Sequence, residues 1–167
     1  MLIRCKGFII RSFRRGDEES LQRSINDMAV SRYTLRIRYP YTMKDAEKWV
    51  CRCVESGSKS EVGFAVDVKG DVVGGIGLWN MRNGRAEIGY WLARKFWNRG
   101  IMTAAVRAIT RYGFGELKLR HIYASVFVVN RASARVLEKA GFKAGGIRLK
   151  RKNGRLMRSE KYEKRLP

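Results

Sequence analysis

The chain has 167 residues, with 36 Lys and Arg against 15 Asp and Glu, which gives a formal net charge of +21. Its 45% hydrophobic and 31% charged residues are typical of a globular protein, and the length predicts a single domain over residues 1–167. No apolar run approaches the ~20 residues of a membrane span. The N-terminus has no long apolar segment of the kind that signal peptides carry, so we expect a cytoplasmic protein without a membrane partner.

The positive charge is densest near the C-terminus, where residues 143–167 hold ten basic and two acidic residues. Such a field attracts polyanions, among them nucleic acid, ribosomes, acidic proteins and anionic cofactors. A solvated basic surface and a functional docking patch both fit this observation. The three cysteines, Cys5, Cys51 and Cys53, lack the spacing of a disulfide framework, and the single histidine, His121, cannot build a metal site alone. We therefore expect reduced cysteines and no metal.

The first third of the chain predicts one strand and two helices. Residues 6–13 form a short β-type run, and a helical stretch follows Asp17 through about Met28. Residues 32–41 are ambiguous. Thr42 is a candidate N-cap for the next helix, which places Ala46, Val50 and Cys53 on one side.

The rest of the chain predicts a three-stranded meander followed by alternating strands and helices. Asn83-Gly84 is a strong signal for a two-residue hairpin within the meander. In chain order, we expect strands at 62–68, 72–79 and 86–92, a helix at 100–114, a strand at 121–128, a helix from 130 or 131 to 140, and two strands, from 142 and at 156–165, joined at Asn153-Gly154. This order indicates an α+β protein with one largely antiparallel sheet.

Residues 99–103 lie at the start of a predicted helix that follows a predicted strand. The first N–H groups of a helix lack internal partners, and with the helix dipole they favour a phosphate or pyrophosphate. Gly100 would allow close approach of the backbone, and Arg94, Lys95 and Arg99 add positive charge nearby. An ordinary helix start with scattered charge is the alternative on these residues alone.

Three segments, residues 87–93, 97–106 and 130–142, closely resemble the GNAT acetyltransferase superfamily, and within it the RimJ/RimL-type branch. The most specific block reads N-x-x-S-x-R-V-L-E-K-A-G-F. The resemblance implies a mixed, largely antiparallel sheet of about seven strands with helices on both faces. It also implies acetyl-CoA as co-substrate and transfer of its acetyl group to an amine. At residues 97–102 the chain departs from the family's Q/R-x-x-G-x-G/A loop, because Trp97 and Met102 replace a polar and a small residue.

The resemblance also implies which residues form the site. The strand ending at Leu92 and Ala93 is expected to splay from the strand at 122–128, so that its backbone pairs with the pantetheine arm. Asn130 is expected to contact that arm or hold the gap open, with Ser133 near the thioester. The remaining cofactor contacts are expected from Arg94 and from the loop and helix start at Arg99, Gly100, Ile101, Met102 and Thr103.

Acetyl transfer needs a group that takes a proton from the amine and one that protonates the leaving thiolate. Glu87 is our candidate base, because the resemblance places it on the strand that splays, where related enzymes often carry a glutamate that acts directly or through water. Strand alternation points it away from Ala86 and Ile88, and a cross-strand ion pair with an arginine would explain it equally well. Glu160 and Glu163 are weaker alternatives. Ser133 is the candidate acid, and the backbone N–H of Leu92 or Ala93 could polarise the carbonyl. No cysteine suggests itself as nucleophile, which favours direct transfer.

Three kinds of acceptor or partner stay open at this stage. The branch resemblance suggests the N-terminal α-amine of a ribosomal or other protein, and a small amine is the second option. A basic nucleic-acid- or ribosome-binding module on the same fold, without catalysis, is the third. A homodimer is also left open.

Overall fold

The computed structural model describes residues 1–55, 58–152 and 154–166. The strands are β1 Leu2–Cys5, β2 Phe8–Ser12, β3 Val62–Val68, β4 Asp71–Arg82, β5 Arg85–Leu92, β6 His121–Phe127, β7 Lys143–Lys152 and β8 Arg155–Arg165. The helices are α1 Glu18–Ile25, α2 Met28–Ser31, α3 Met43–Glu55, α4 Ile101–Gly115 and α5 Arg131–Lys139, with a short 3₁₀ helix at Arg94–Phe96. Helices and strands thus follow the predicted α+β order. None of the helices in the described ranges is long and apolar enough to cross a membrane.

The described strands form one sheet in the order β1-β2-β3-β4-β5-β6-β8-β7. Every neighbouring pair is antiparallel except β5 and β6, which are parallel. The predicted run at residues 6–13 contains β2, and the sheet has eight strands instead of about seven because residues 2–5, which precede that run, form an additional strand. Gly7, with a φ of 83°, makes a tight turn that folds the segment before it back onto β2 as β1.

Helices pack on both faces of the sheet, as the family resemblance implies. One core cluster joins the sheet to α4 and α5, with Leu78, Ile109 and Leu137 fully buried. A second cluster joins the opposite face to α1 and α3 through Leu21 and Val50. Because side chains alternate along a strand, the two faces of each central strand contribute side chains to different clusters.

Of two local predictions near the N-terminus, one is wrong and the other is confirmed. The helix expected through Met28 ends at Ile25, because Asp27 adopts an extended backbone and its side chain accepts a bond of 2.7 Å from the Ala29 N–H, which caps α2. Thr42 does cap α3, since its hydroxyl oxygen accepts a hydrogen bond of 3.2 Å from the Asp45 N–H. Near the other end of the chain, Asn153 of the predicted second hairpin lies outside the described residues.

The feature that positions the site is a gap in the middle of the sheet. The hairpin at Asn83 and Gly84, both with positive φ, connects β4 to β5, and β5 then lies next to β6. The parallel pairing then covers only three residues, from Arg85 opposite His121 to Glu87 opposite Tyr123. Beyond Glu87 the two strands diverge, which leaves a V-shaped opening between the end of β5 and the end of β6.

Candidate active site

A cavity of about 600 Å³ occupies this opening. Its lining comes from β5, the start of α4, β6, the start of α5 and the loop at residues 33–37. The cavity therefore has two connected halves. One half lies at the start of α4, and the other lies around Glu87, on the sheet face that α1 and α3 partly cover.

The helix-start half has the features of an anion site. Gly100 precedes α4 with a φ of 74°, and its carbonyl accepts the first helical hydrogen bond, 3.1 Å from the Ala104 nitrogen. The N–H groups of residues 101–103 come before that bond and have no acceptor within the helix. A Cβ built on Gly100 would have no atom within 4 Å, so this surface of the loop is open. Met102 is only 6% exposed, because its side chain packs into the core beneath the helix.

Trp97 replaces the polar residue of the family loop, yet it still supplies a hydrogen-bond donor. Its indole Nε1 donates to the Leu92 carbonyl at 2.7 Å. The bond ties the loop that precedes α4 to the end of β5. Trp97 thus stabilises the position of the helix start relative to the V-shaped opening.

At the end of β5, one residue has backbone N–H and C=O groups that face the opening. The Ala93 N–H already donates to the Val73 carbonyl at 2.8 Å. Because N–H and C=O groups alternate in direction along a strand, those of Leu92 point away from β4 and into the gap. Of the two candidate donors, only Leu92 therefore has an N–H that faces the opening. Ala93 and the exposed Arg94 are both absent from the residues that line the cavity.

Asn130 and Ser133 meet at the start of α5. The Asn130 side-chain oxygen accepts a bond of 3.1 Å from the Ser133 N–H, so Asn130 is the N-cap of this helix. The Tyr90 hydroxyl lies 2.8 Å from the Ser133 hydroxyl oxygen and donates to the Ser133 carbonyl at 3.1 Å. Burial raises the pKa of Tyr90 well above its ordinary value, which keeps the phenol protonated.

Sequence reasoning missed Tyr90 as a functional candidate. Its place two residues beyond Ile88 on β5 predicts a side chain directed toward α4 and α5, with a polar tip that needs a partner. That partner, Ser133, is 43 residues away in the chain, so the sequence alone did not connect them.

Glu87 lies in the other half of the cavity and points away from the buried Ala86 and Ile88, as alternation predicts. Its carboxylate lies 3.5 Å from the Lys150 Nζ and accepts a weak hydrogen bond of 3.4 Å from the Asn80 amide. The ion pair considered as the alternative therefore exists, with a lysine of β7 in place of an arginine. Glu87 therefore lines the cavity and also forms an ion pair with Lys150.

The two alternative carboxylates on β8 have other neighbours. Glu160 accepts a hydrogen bond of 3.0 Å from the Tyr162 hydroxyl. Glu163 accepts one of 2.5 Å from the Lys161 Nζ, which lowers the pKa of its carboxyl. Neither lines the cavity, whereas Glu87 does. This placement favours Glu87 among the three.

Charges in the cavity lining are unequal in sign. In the part of the chain that the structure describes, Glu87 is the one acidic residue of the lining. Its basic residues are Arg36, Arg99, Arg135, Lys139 and Lys150. Arg135 and Lys139 belong to α5 and were not predicted as site residues. They lie on the exposed side of that helix, where cationic side chains attract phosphates without being buried.

Comparison with known proteins identifies the family. The family model described as "Acetyltransferase (GNAT) domain" matches residues 8–143. The chain therefore belongs to the GNAT acetyltransferase family, whose acetyl donor is acetyl-CoA. The open N–H groups of α4, the open surface at Gly100 and the cations beside them fit the phosphates of that donor.

Individual relatives support the family and the fold. The chain is 38% identical over 113 residues to the "Probable N-acetyltransferase YjcK" of Bacillus subtilis, a match that covers 64% of this chain and 62% of the relative. A GNAT-family acetyltransferase from Bacillus anthracis superposes with a TM-score of 0.87 at 25% identity, covering 99% and 98% of the two chains. Ribosomal-protein-S5-alanine acetyltransferase from Vibrio fischeri has the same fold, with a TM-score of 0.86, 20% identity and coverage of 99% and 96%.

Proposed function

We propose that this protein is an N-acetyltransferase of the RimJ/RimL-like branch, which transfers the acetyl group of acetyl-CoA directly to the N-terminal α-amine of a ribosomal or other protein. The observation that carries the proposal is one continuous cavity. It joins the open start of α4, the gap between β5 and β6, and the Glu87 carboxylate. Donor and acceptor can meet there from opposite faces of the sheet.

In this assignment the helix-start half holds the donor. The N–H groups of Ile101, Met102 and Thr103, with Arg99 beside them, bind the pyrophosphate. The second lone pair of the Leu92 carbonyl accepts a hydrogen bond from the pantetheine arm, and Asn130 keeps α5 clear of the gap by capping its first turn. Arg135 and Lys139 add positive charge for the remaining phosphate.

The chain's own residues then divide the proton transfers. Acetyl-CoA supplies an activated thioester carbonyl. Glu87 accepts a proton from the acceptor ammonium, directly or through water, which leaves a neutral amine able to attack that carbonyl. The Leu92 N–H stabilises the oxyanion that forms as the C–N bond is made. As the C–S bond breaks, the Ser133 hydroxyl, held by its hydrogen bond to Tyr90, donates its proton to the thiolate and takes up, through water, the proton that the attacking nitrogen loses.

The acceptor assignment is supported by the branch resemblance and by charge. The Vibrio fischeri enzyme of the same fold is named for a ribosomal-protein acceptor. The net charge of +21 favours a macromolecule with negative charge over a free polycation, which would be repelled. A nucleic-acid-binding module without catalysis would need the basic surface alone and would leave the cavity without a role.

The proposal is tested by two measurements on the same preparation. Thermal unfolding is followed with and without acetyl-CoA, and release of the CoA thiol is followed with a panel of peptide N-termini and small amines. We expect stabilisation by acetyl-CoA and thiol release that depends on the peptide. Strong, salt-sensitive RNA retention on filters without any shift by acetyl-CoA would favour the binding module instead.

A further inference from the structure

The Glu87 half of the cavity is positively charged apart from Glu87 itself. Lys150 lies 3.5 Å from the Glu87 carboxylate, with side chains that are 30% and 19% exposed. Arg36 lies on the facing loop, with its guanidinium 6.0 Å from the Trp79 ring centre. Two cations therefore flank one carboxylate at the place where the acceptor amine must enter.

Aromatic rings form the floor and wall of this half. Trp79 packs edge-on against Trp49 at 5.7 Å, and both rings line the cavity together with Trp91. The ring of Trp79 holds the Arg36 guanidinium by a cation–π contact. Arg36 is thus positioned at the rim by a rigid neighbour instead of extending freely into solvent.

The loop that carries Arg36 is held in place by hydrogen bonds from a side chain of β7. The Lys152 Nζ donates to the backbone carbonyls of Ser31 and Thr34, so its ammonium is used in holding residues 31–34. Desolvation lowers the pKa of Lys152, in line with this partly buried position. The rim that presents Arg36 is therefore attached to the same strand that presents Lys150.

Positive charge continues along that strand away from the cavity. Arg148 pairs directly with Ser159 across β7 and β8, and Ser159 lines the cavity. Residues paired across two strands share a face, so the exposed Arg148 lies on the cavity side, next to the mouth. Arg36, Lys150 and Arg148 together form a strip of charge that starts at Glu87 and leads outward.

We infer that the acceptor is the N-terminus of an acidic polypeptide, whose first residues after the amine carry carboxylates. This inference rests on the proposed function and names the substrate class of the same site. The amine itself is received by Glu87, and carboxylates in the following residues meet Arg36, Lys150 and Arg148. A polyamine or a lysine-rich N-terminus would place further cations against this strip and is disfavoured.

Peptides with a constant first residue test the inference. Three peptides begin with the same alanine and continue with Asp and Glu, with Asn and Gln, or with Lys, and spermidine serves as a fourth acceptor. With thiol release as the readout, we expect kcat/KM to fall in the order acidic, neutral, basic. The acidic-to-neutral ratio should be roughly fivefold to tenfold at low salt and shrink as salt is added, because partly exposed ion pairs are individually weak and screened.

A matched pair of variants assigns the preference to the strip. Arg36→Gln should bring the acidic-to-neutral ratio toward one, while Arg111→Gln, an exposed arginine on α4 that does not line the cavity, should leave it unchanged. Equal rates for all three peptides, or a ratio that Arg36→Gln does not move, would overturn the acidic specificity alone. Faster transfer to spermidine than to the acidic peptide would also overturn it. No transfer to any amine contradicts the proposed function as well. Salt-sensitive RNA binding lost in Arg36→Gln, without any peptide preference, would assign the strip to nucleic acid instead.

Discussion

Gly100 is the residue at which backbone conformation and cofactor binding meet. Its φ of 74° lies in the left-handed region, and the protein places no atom within 4 Å of a Cβ there. We predict that Gly100→Val raises the Kd for acetyl-CoA about tenfold or more, because the added side chain strains the loop and crowds the phosphate path. Isothermal titration calorimetry measures the effect.

The control for Gly100 is Gly16→Val, since Gly16 also has positive φ and open space around it but lies outside the cavity. It should lower thermal stability and leave the Kd for acetyl-CoA unchanged. Unchanged affinity in Gly100→Val would remove the pyrophosphate from this helix start.

Glu87 gives a prediction about pH. Glu87→Gln should lower kcat by roughly 100-fold at low pH, where most of the acceptor amine is protonated and needs a base. The deficit should shrink as pH rises, because the free amine becomes abundant. The kcat–pH profile of the variant is compared with those of wild type and of Glu163→Gln, which changes a carboxylate outside the cavity. A profile for Glu87→Gln that matches wild type would count against Glu87 as base.

Tyr90 gives a prediction about whether it acts on catalysis through Ser133. Because its hydroxyl lies 2.8 Å from that of Ser133, Tyr90→Phe should lower kcat about threefold to tenfold with little change in the KM for acetyl-CoA. If Tyr90 acts through Ser133, the double variant with Ser133→Ala should be no slower than Ser133→Ala alone. Steady-state kinetics on the three variants complete the cycle. Additive losses would show that Tyr90 does not work through Ser133.

At the scale of elements, the sequence predicts what depends on periodicity and local turn chemistry. The direction of Glu87, away from the buried Ala86 and Ile88, and the cap at Thr42 belong to this class. The partnership of Glu87 with Lys150 does not, because it depends on the order β5-β6-β8-β7 and on a register shift between Ala144 and Ile147. A shift of one residue turns every later side chain of β7 to the other face, and local sequence does not reveal where such a shift occurs.

Strand β4 is built around close contacts between glycines and indole rings. A Cβ on Gly77 would lie 2.5 Å from both the Trp79 ring and the Val62 carbonyl oxygen. Gly77→Ala should therefore lower the free energy of unfolding by about 1–3 kcal/mol, since both neighbours must move. Gly146→Ala, on β7 with no atom within 4 Å of its Cβ position, should cause no loss. Urea denaturation of the two variants checks the difference, and equal stability would mean that both Trp79 and Val62 can shift freely.

At the scale of the whole molecule, a buried ion cluster connects the N-terminal hairpin to the rest of the sheet and to α1. Arg11 of β2 is only 7% exposed. Its Nε donates to Asp67 of β3 at 2.7 Å, and its two terminal nitrogens donate to Asp17, before α1, at 2.7 and 2.8 Å. Asp17 and Asp67 are only 3% and 4% exposed, so these two buried carboxylates depend on Arg11 for their counter-charge.

Removing the cation from this cluster leaves Asp67 without its counter-charge and Asp17 with only the exposed Arg14. We predict that Arg11→Met lowers the free energy of unfolding by about 3–5 kcal/mol, although methionine nearly fills the space. Arg14→Met is the matched control, because the Arg14 guanidinium lies 3.8 Å from Asp17 but its side chain is 65% exposed. That change should cost about 1 kcal/mol or less. Chemical denaturation of both variants measures the difference, and similar losses would show that Arg11 contributes no more than a surface ion pair.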